Sequence, residues 1–345
     1  MGQGSMTDAQ TAIANDLPDA VSYGWPGNPE MCPICGFPGT ADFLSAPDRF
    51  HWRREMYQLR RCSSCLHVWL DHPPQPDEMA PHYDEDYHKT IAAGGEGSAN
   101  KRWSRPRSII ERYSRGGSLL DIGCSSGGFL GTLKGGAWKL YGIEMEQSTA
   151  ERARAASGAE VFVGDIESAP FAKASFDVIT CFDLLEHVYQ PREFLRRVQG
   201  WMKPGGIVIT QLPNIRSWEA RLFGTYWYGL ELPRHLSHFS PESLRHLMKD
   251  LGFQEVSVAT PPVSYIERSL GFVAAALIEM LGGTPAPQSK LRPRSIFSRV
   301  IRKAARVLAL NPFAQLAAAV GEGPSIEGIF RKQNSDERNE TVESR

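Results

Sequence analysis

Residues 118–130 read Ser118-Leu119-Leu120-Asp121-Ile122-Gly123-Cys124-Ser125-Ser126-Gly127-Gly128-Phe129-Leu130. Ser118 to Ile122 is short, apolar and preceded by Gly116-Gly117, the pattern of a central parallel strand covered on both faces. Gly123 and Gly127 remove side chains where a ligand must touch backbone. Phe129, Leu130 and Leu133 then recur at helical spacing, so the expected order is strand, glycine turn, helix. A nicotinamide-cofactor turn would read G-x-G-x-x-G. Here Ser125 takes the middle position and an acid, Asp121, sits in the strand end. A carboxylate aimed at the turn suits a ligand with a positive amino group and no pyrophosphate.

Outward from that turn, acids recur at strand ends. Leu140-Tyr141-Gly142-Ile143-Glu144 is a second strand ending in an acid about twenty residues on, where a carboxylate accepts from both ribose hydroxyls. Val161-Phe162-Val163-Gly164-Asp165 is a third. Phe176 to Phe182 is a fourth, followed by Asp183-Leu184-Leu185-Glu186-His187-Val188. Met202-Lys203-Pro204-Gly205-Gly206 leads into a fifth, Ile207 to Leu212. Over roughly residues 105 to 260 this series resembles the class I S-adenosylmethionine (SAM)-dependent methyltransferases, whose first motif is acid-x-G-x-G-x-G. Serine at the second glycine is a departure that keeps a small side chain. The resemblance implies an α/β, Rossmann-like fold: a twisted, mostly parallel seven-stranded sheet with helices on both faces. It implies SAM at the carboxyl ends of the strands, held by Asp121, Gly123, Ser125, Gly127, Glu144, Asp165, Ile166 and Phe182, with Asp165 near the adenine amino group.

The 345 residues accommodate that domain and one small one. A formal net charge of -1 does not suit a general nucleic-acid binder, and no nucleic-acid partner is expected. No apolar run reaches the roughly 18 residues that span a bilayer. The N-terminus lacks a basic-then-apolar signal, so the expected location is the cytoplasm.

Cys32-Pro33-Ile34-Cys35 and Cys62-Ser63-Ser64-Cys65 are two C-x-x-C knuckles, the pattern of a tetrahedral, structural zinc site within a ribbon at 29–72. The alternative is four reduced, unliganded thiols. His51, His67 and His72 lie nearby but are not expected as ligands. The pattern resembles bacterial methyltransferases that carry an N-terminal zinc ribbon.

Residues 1–28 are polar and aperiodic, as a disordered tail would be, and 332–345 read likewise. Between ribbon and core, 73–104 reads as a stiff Pro73-Pro74-Gln75-Pro76 linker and lid helices carrying Tyr83 and Tyr87. The methyltransferase domain runs from 105 to 331, with a helical insertion at 261–322 before a delayed last strand, Ser325 to Phe330. Lys290 to Arg306 holds seven basic residues, no acid and one apolar helical face. Such a helix, at 290–310, could lie on the inner face of an anionic membrane or pack as a lid or dimer helix.

The acceptor side reads from Trp218 to Ser243. Tyr226, Trp227, Tyr228 and Arg234 are the expected substrate contacts. The run Pro233-Arg234-His235-Leu236-Ser237-His238-Phe239-Ser240 resembles a recurring segment of these methyltransferases beside the acceptor pocket. An oxygen acceptor needs a base near neutral pKa. His235 is the first choice, then His187 and His238. The expected activity is methyl transfer to a small-molecule or lipid-linked acceptor at oxygen. The rivals are an RNA methyltransferase that reads through its ribbon and a non-catalytic protein on the same fold. The oligomeric state is not set by the sequence.

Overall fold

A computed structural model describes residues 31–84, 99–283 and 311–333. The tail at 1–28, Tyr87, the basic segment 290–306 and residues 334–345 lie outside the described residues. The chain opens with an antiparallel ribbon, β1 (Thr40–Pro47), β2 (Met56–Cys62) and β3 (Val68–Leu70). Two helices, α1 (Pro76–Met79) and α2 (Ala99–Tyr113), precede the central sheet.

That sheet begins with β4 (Gly117–Ile122), whose last four residues are buried, as a strand covered on both faces requires. β5 (Trp138–Glu144), α3 (Gln147–Ser157), β6 (Glu160–Val163), β7 (Phe176–Phe182), α4 (Pro191–Trp201) and β8 (Met202–Pro213) follow. After α5 (Trp218–Phe223) come the short strand β9 (Ser237–His238), α6 (Pro241–Asp250), β10 (Phe253–Ala259), α7 (Ile266–Met280), α8 (Asn311–Ala319) and β11 (Ser325–Lys332). The seven strands lie in the order β10-β11-β8-β7-β4-β5-β6. All pair in parallel except β11, which is antiparallel to both neighbours. The chain winds from β4 to β6 on one side and restarts with β7 on the other. That reversal opens a crevice at the carboxyl ends of β4 and β7.

Two local readings meet different outcomes. Ser240 caps α6 as its spacing requires: its Oγ accepts the Ser243 N–H at 3.1 Å, and Ser243 Oγ accepts the Ser240 N–H at 2.9 Å, with Pro241 in the first turn. The helix expected after Gly127 is instead a single 3-10 turn, Leu130–Leu133. Gly127, Gly128 and Gly131, with Gly135-Gly136 beyond, weaken it, since each glycine inside a helix costs roughly 1 kcal/mol.

The ribbon is built into the core. β9, from the methyltransferase half, adds a fourth strand beside β3, with Val68 opposite His238 and Trp69 opposite Ser237. The Leu70 N–H also donates to Leu236 O at 2.9 Å. Cys32, Ile34 and Trp69 share one apolar cluster with Phe239, Leu244 and Leu247.

Candidate active site

The glycine turn hangs from β5: the Gly123 and Cys124 N–H groups both donate to Ile143 O, at 2.9 and 3.0 Å. Three of its residues take left-handed backbone, Gly123 (φ 73°), Ser125 (φ 48°) and Gly127 (φ 77°). The position where the motif carries serine is therefore a glycine conformation, at a cost of roughly 1–2 kcal/mol. The Ser125 N–H is held there by Glu144 Oε2 at 3.0 Å, while Glu144 Oε1 accepts from the Glu146 N–H at 3.1 Å. A Cβ on Gly127 would stand 2.8 Å from the Ala153 Cα, so the missing side chain lets the turn meet α3.

Asp121 is buried and accepts the Thr180 hydroxyl at 2.7 Å. Burial pushes its carboxyl from 3.8 up to about 7, against the pull of that hydrogen bond. Asp165 lies just beyond β6 and accepts the Ser168 N–H at 2.8 Å. Ile166 packs on the core, and Phe182 closes an aromatic group with Trp103 and Phe129, at 5.6 and 5.0 Å between centroids. Asp121, the turn and Glu144 thus stand on adjacent strand ends at the reversal, with backbone open for a ligand's approach. They fit SAM, and Asp121 offers its ammonium group a carboxylate.

On the other side of the crevice the chain after β7 touches the turn: a Cβ on Gly123 would lie 3.3 Å from Leu184. His187 follows three residues on, with its Nδ1 3.0 Å from Arg234 O and 3.1 Å from Tyr83 Oη. A carbonyl only accepts, so Nδ1 carries the proton and Nε2 keeps its lone pair. His235 repeats this arrangement, with Nδ1 donating to Gly229 O at 3.0 Å. Its ring lies 4.6 Å from that of His187. His238 is the reverse: Nε2 donates to Leu230 O at 3.0 Å and Nδ1 has no partner among the described residues. Burial holds all three below the usual histidine range, His187 and His238 at about 4, so each is neutral at pH 7. Glu186, also buried, has no partner for Oε2 among the described residues. The ligand atoms of Glu186, His187 and His235 lie within 4.8 Å of one another, close enough for one cation to bridge.

The expected substrate contacts are placed differently from one another. Trp227 and Tyr228 are buried, and Tyr228 stacks on Phe272 at 6.0 Å. Tyr226 is half-buried under the Arg49 guanidinium, 4.0 Å from its ring centre. Arg234 is fully buried against Asp48, which the sequence did not single out. Glu231, also missed, lies between Arg234 and His235. A Pro47-Asp48 turn carrying His51 three residues on was the available signal for Asp48: its carboxylate accepts both the N–H and the ring nitrogen of His51.

Cys32, Cys35, Cys62 and Cys65 converge without disulfides, their sulfurs within 4.8 Å of one another. The closest pairs are Cys32–Cys65 at 3.5 Å and Cys35–Cys62 at 3.6 Å. A Zn–S bond of ~2.3 Å puts tetrahedral sulfurs ~3.8 Å apart, so the donor set fits zinc. His51 and His72 pair instead with Asp48 and Asp71, and His67 is buried against Trp69 and Phe239.

Strand order, glycine turn and strand-end acids together define a class I SAM-dependent methyltransferase, and the chain belongs to that family. A family model described as a methyltransferase domain matches residues 99–258. The ubiquinone biosynthesis O-methyltransferase of Pseudomonas putida F1 is 32% identical over 162 residues, which cover 42% of this chain and 68% of that enzyme. The enzyme of the same name from Thiobacillus denitrificans is 27% identical over 165 residues, covering 44% and 69%. Among solved structures, a SAM-dependent methyltransferase from Archaeoglobus fulgidus aligns with a TM-score of 0.48 at 19% identity, over 71% of this chain and all of that one.

Proposed function

We propose that this methyltransferase acts on a hydroxyl of a small-molecule acceptor, with His235 as the base and a structural zinc on the four cysteines. SAM, when bound at Asp121 and Glu144, supplies an electrophilic methyl group. The chain's own part is to align the acceptor, exclude water and take its proton on His235 Nε2. The observation that carries this reading is the tautomer: Gly229 O fixes the proton on Nδ1 and leaves the lone pair on Nε2, 3.7 Å from Glu231 Oε2, with the His187 ring 4.6 Å from that of His235. A buried, weakly basic imidazole suits an acidic hydroxyl. That favours a phenol or quinol, near pKa 10, over an alcohol. The relatives named for O-methylation in ubiquinone biosynthesis favour the same chemistry. The seven basic residues between 290 and 306 favour an acceptor carried at an anionic membrane surface. Among the described residues no helix is long and apolar enough to cross a membrane.

The test is His235→Ala, assayed by transfer of labelled methyl from SAM to a small catechol and, separately, to a prenylated quinol. Turnover should fall by roughly 10²–10⁴ while S-adenosylhomocysteine binds as before. Near-normal turnover would remove His235 as base. Methylation of neither probe by the wild-type chain would remove the phenolic acceptor.

A further inference from the structure

A buried polar chain leads from the ribbon to His235. Asp48, in the turn after β1, and Arg234, beside His235, both have fully buried side chains. Arg234 grips Asp48 with both ends of its fork: Nη1 donates to Oδ2 and Nη2 to Oδ1, each at 3.2 Å. Nη1 also donates to His82 O at 3.1 Å, and the guanidinium lies over the Phe50 ring at 4.5 Å. Asp48 accepts further bonds from the Phe50 N–H at 2.9 Å, His51 Nδ1 at 2.8 Å and His82 Nδ1 at 3.1 Å. Burial alone would raise its carboxyl, but His51 and Arg234 hold it well below the usual range. On the opposite side, Arg234 Nε faces Glu231 Oε1 at 3.5 Å, and Glu231 Oε2 lies 3.7 Å from His235 Nε2. One carboxylate grips the arginine through hydrogen bonds, and the arginine in turn is the ion-pair partner of a second carboxylate beside the imidazole.

We propose that Asp48 is a positioning residue for His235, acting through Arg234 and Glu231, so that the ribbon forms a working wall of the acceptor site. The inference rests on the reading of His235 as base. A desolvated ion pair broken on one side leaves an uncompensated charge. Without the Asp48 charge, Arg234 draws Glu231 to itself, and the carboxylate that would stabilise a proton on His235 Nε2 moves away. Displacements of about 1 Å at such a site cost up to ~100-fold in rate.

The experiment is Asp48→Asn in the full, zinc-loaded chain, read in three ways. Calorimetry with S-adenosylhomocysteine should show unchanged affinity. Nitrogen-15 histidine spectra, with the His235 signals identified by their loss in His235→Ala, should show those signals shifted while those of His246 stay in place. Turnover on the catechol probe should fall by about 10- to 100-fold, with KM for SAM unchanged. Unshifted His235 signals in a folded Asp48→Asn protein would overturn the proposal. Should that variant fail to fold, Arg234→Lys keeps the charge, breaks the fork and is read the same way. Failure of both to fold would show a purely structural pair and also overturn it. Normal turnover in His235→Ala would refute the base assignment while leaving the spectroscopic result on Asp48 standing.

Discussion

Raising the pH from 5 to 8 should weaken the contribution of Asp121 to the ligand-free fold and tighten SAM, so that one carboxyl links the two. Its side chain is 4% exposed, and burial lifts its carboxyl from 3.8 to about 7. The unfolded chain has released that proton by pH 5, whereas the native chain still holds it. The contribution of Asp121 to stability therefore falls as pH rises between these two values, while the buried histidines act in the opposite sense. About three units at ~1.4 kcal/mol each give a loss on the order of 4 kcal/mol by pH 7. A ligand whose ammonium group docks on Asp121 favours the ionised form, so binding below pH 7 must release a proton. Affinity should then weaken toward tenfold per unit of acidification, or about 100-fold from pH 7 to 5. Calorimetry with S-adenosylhomocysteine, in buffers of different ionisation heat, reads affinity and proton release together. Urea denaturation at each pH reads stability. Asp121→Asn should flatten the affinity profile, make the stability difference from wild type grow with pH, raise ligand-free stability above pH 7 and cost about ten- to hundredfold in affinity. Other titrating groups cancel in that comparison. Wild-type affinity that stays flat from pH 5 to 8, with no proton released, would refute the reasoning.

Two further outcomes follow from the same geometry. Glu144→Ala removes the clamp on the Ser125 N–H as well as the expected ribose partner, and should weaken S-adenosylhomocysteine about ten- to hundredfold; unchanged affinity in the folded variant would place the ribose elsewhere. Cys62→Ser should bring zinc below one per chain by metal analysis. Because β3 pairs with β9, the loss of melting temperature should appear in one transition of the whole chain; a ribbon that melts separately beneath an unaltered core would contradict the shared sheet.

What the sequence made legible was local. Asp121 and the glycine turn, Ser240 with Ser243, and the two cysteine pairs each announce themselves by a short motif, so residue type and spacing were enough to read them, although their partners lie farther along the chain for all but the Ser240 cap. The failures are of range. The helix after Gly127 had the right apolar spacing, but its own glycines reduced it to one turn. Arg234 was read by type, as a substrate contact. A guanidinium with no exposure must instead have buried acceptors, and its main one, Asp48, lies 186 residues away in sequence. No periodicity connects the two. Only the pairing of β9 with β3 brings the turn after β1 under the His235 segment, and that pairing rests on the short stretch Ser237–His238, too brief to carry a strand pattern. The ribbon therefore reads from sequence as an appended module, yet in three dimensions it supplies the counter-charge beside the proposed base. Recognition of the cofactor half could be local because the residues that fit SAM lie on one turn and adjacent strand ends. The proposed acceptor half joins four separate segments, around Asp48, Tyr83, His187 and His235, and only the folded chain shows that they meet.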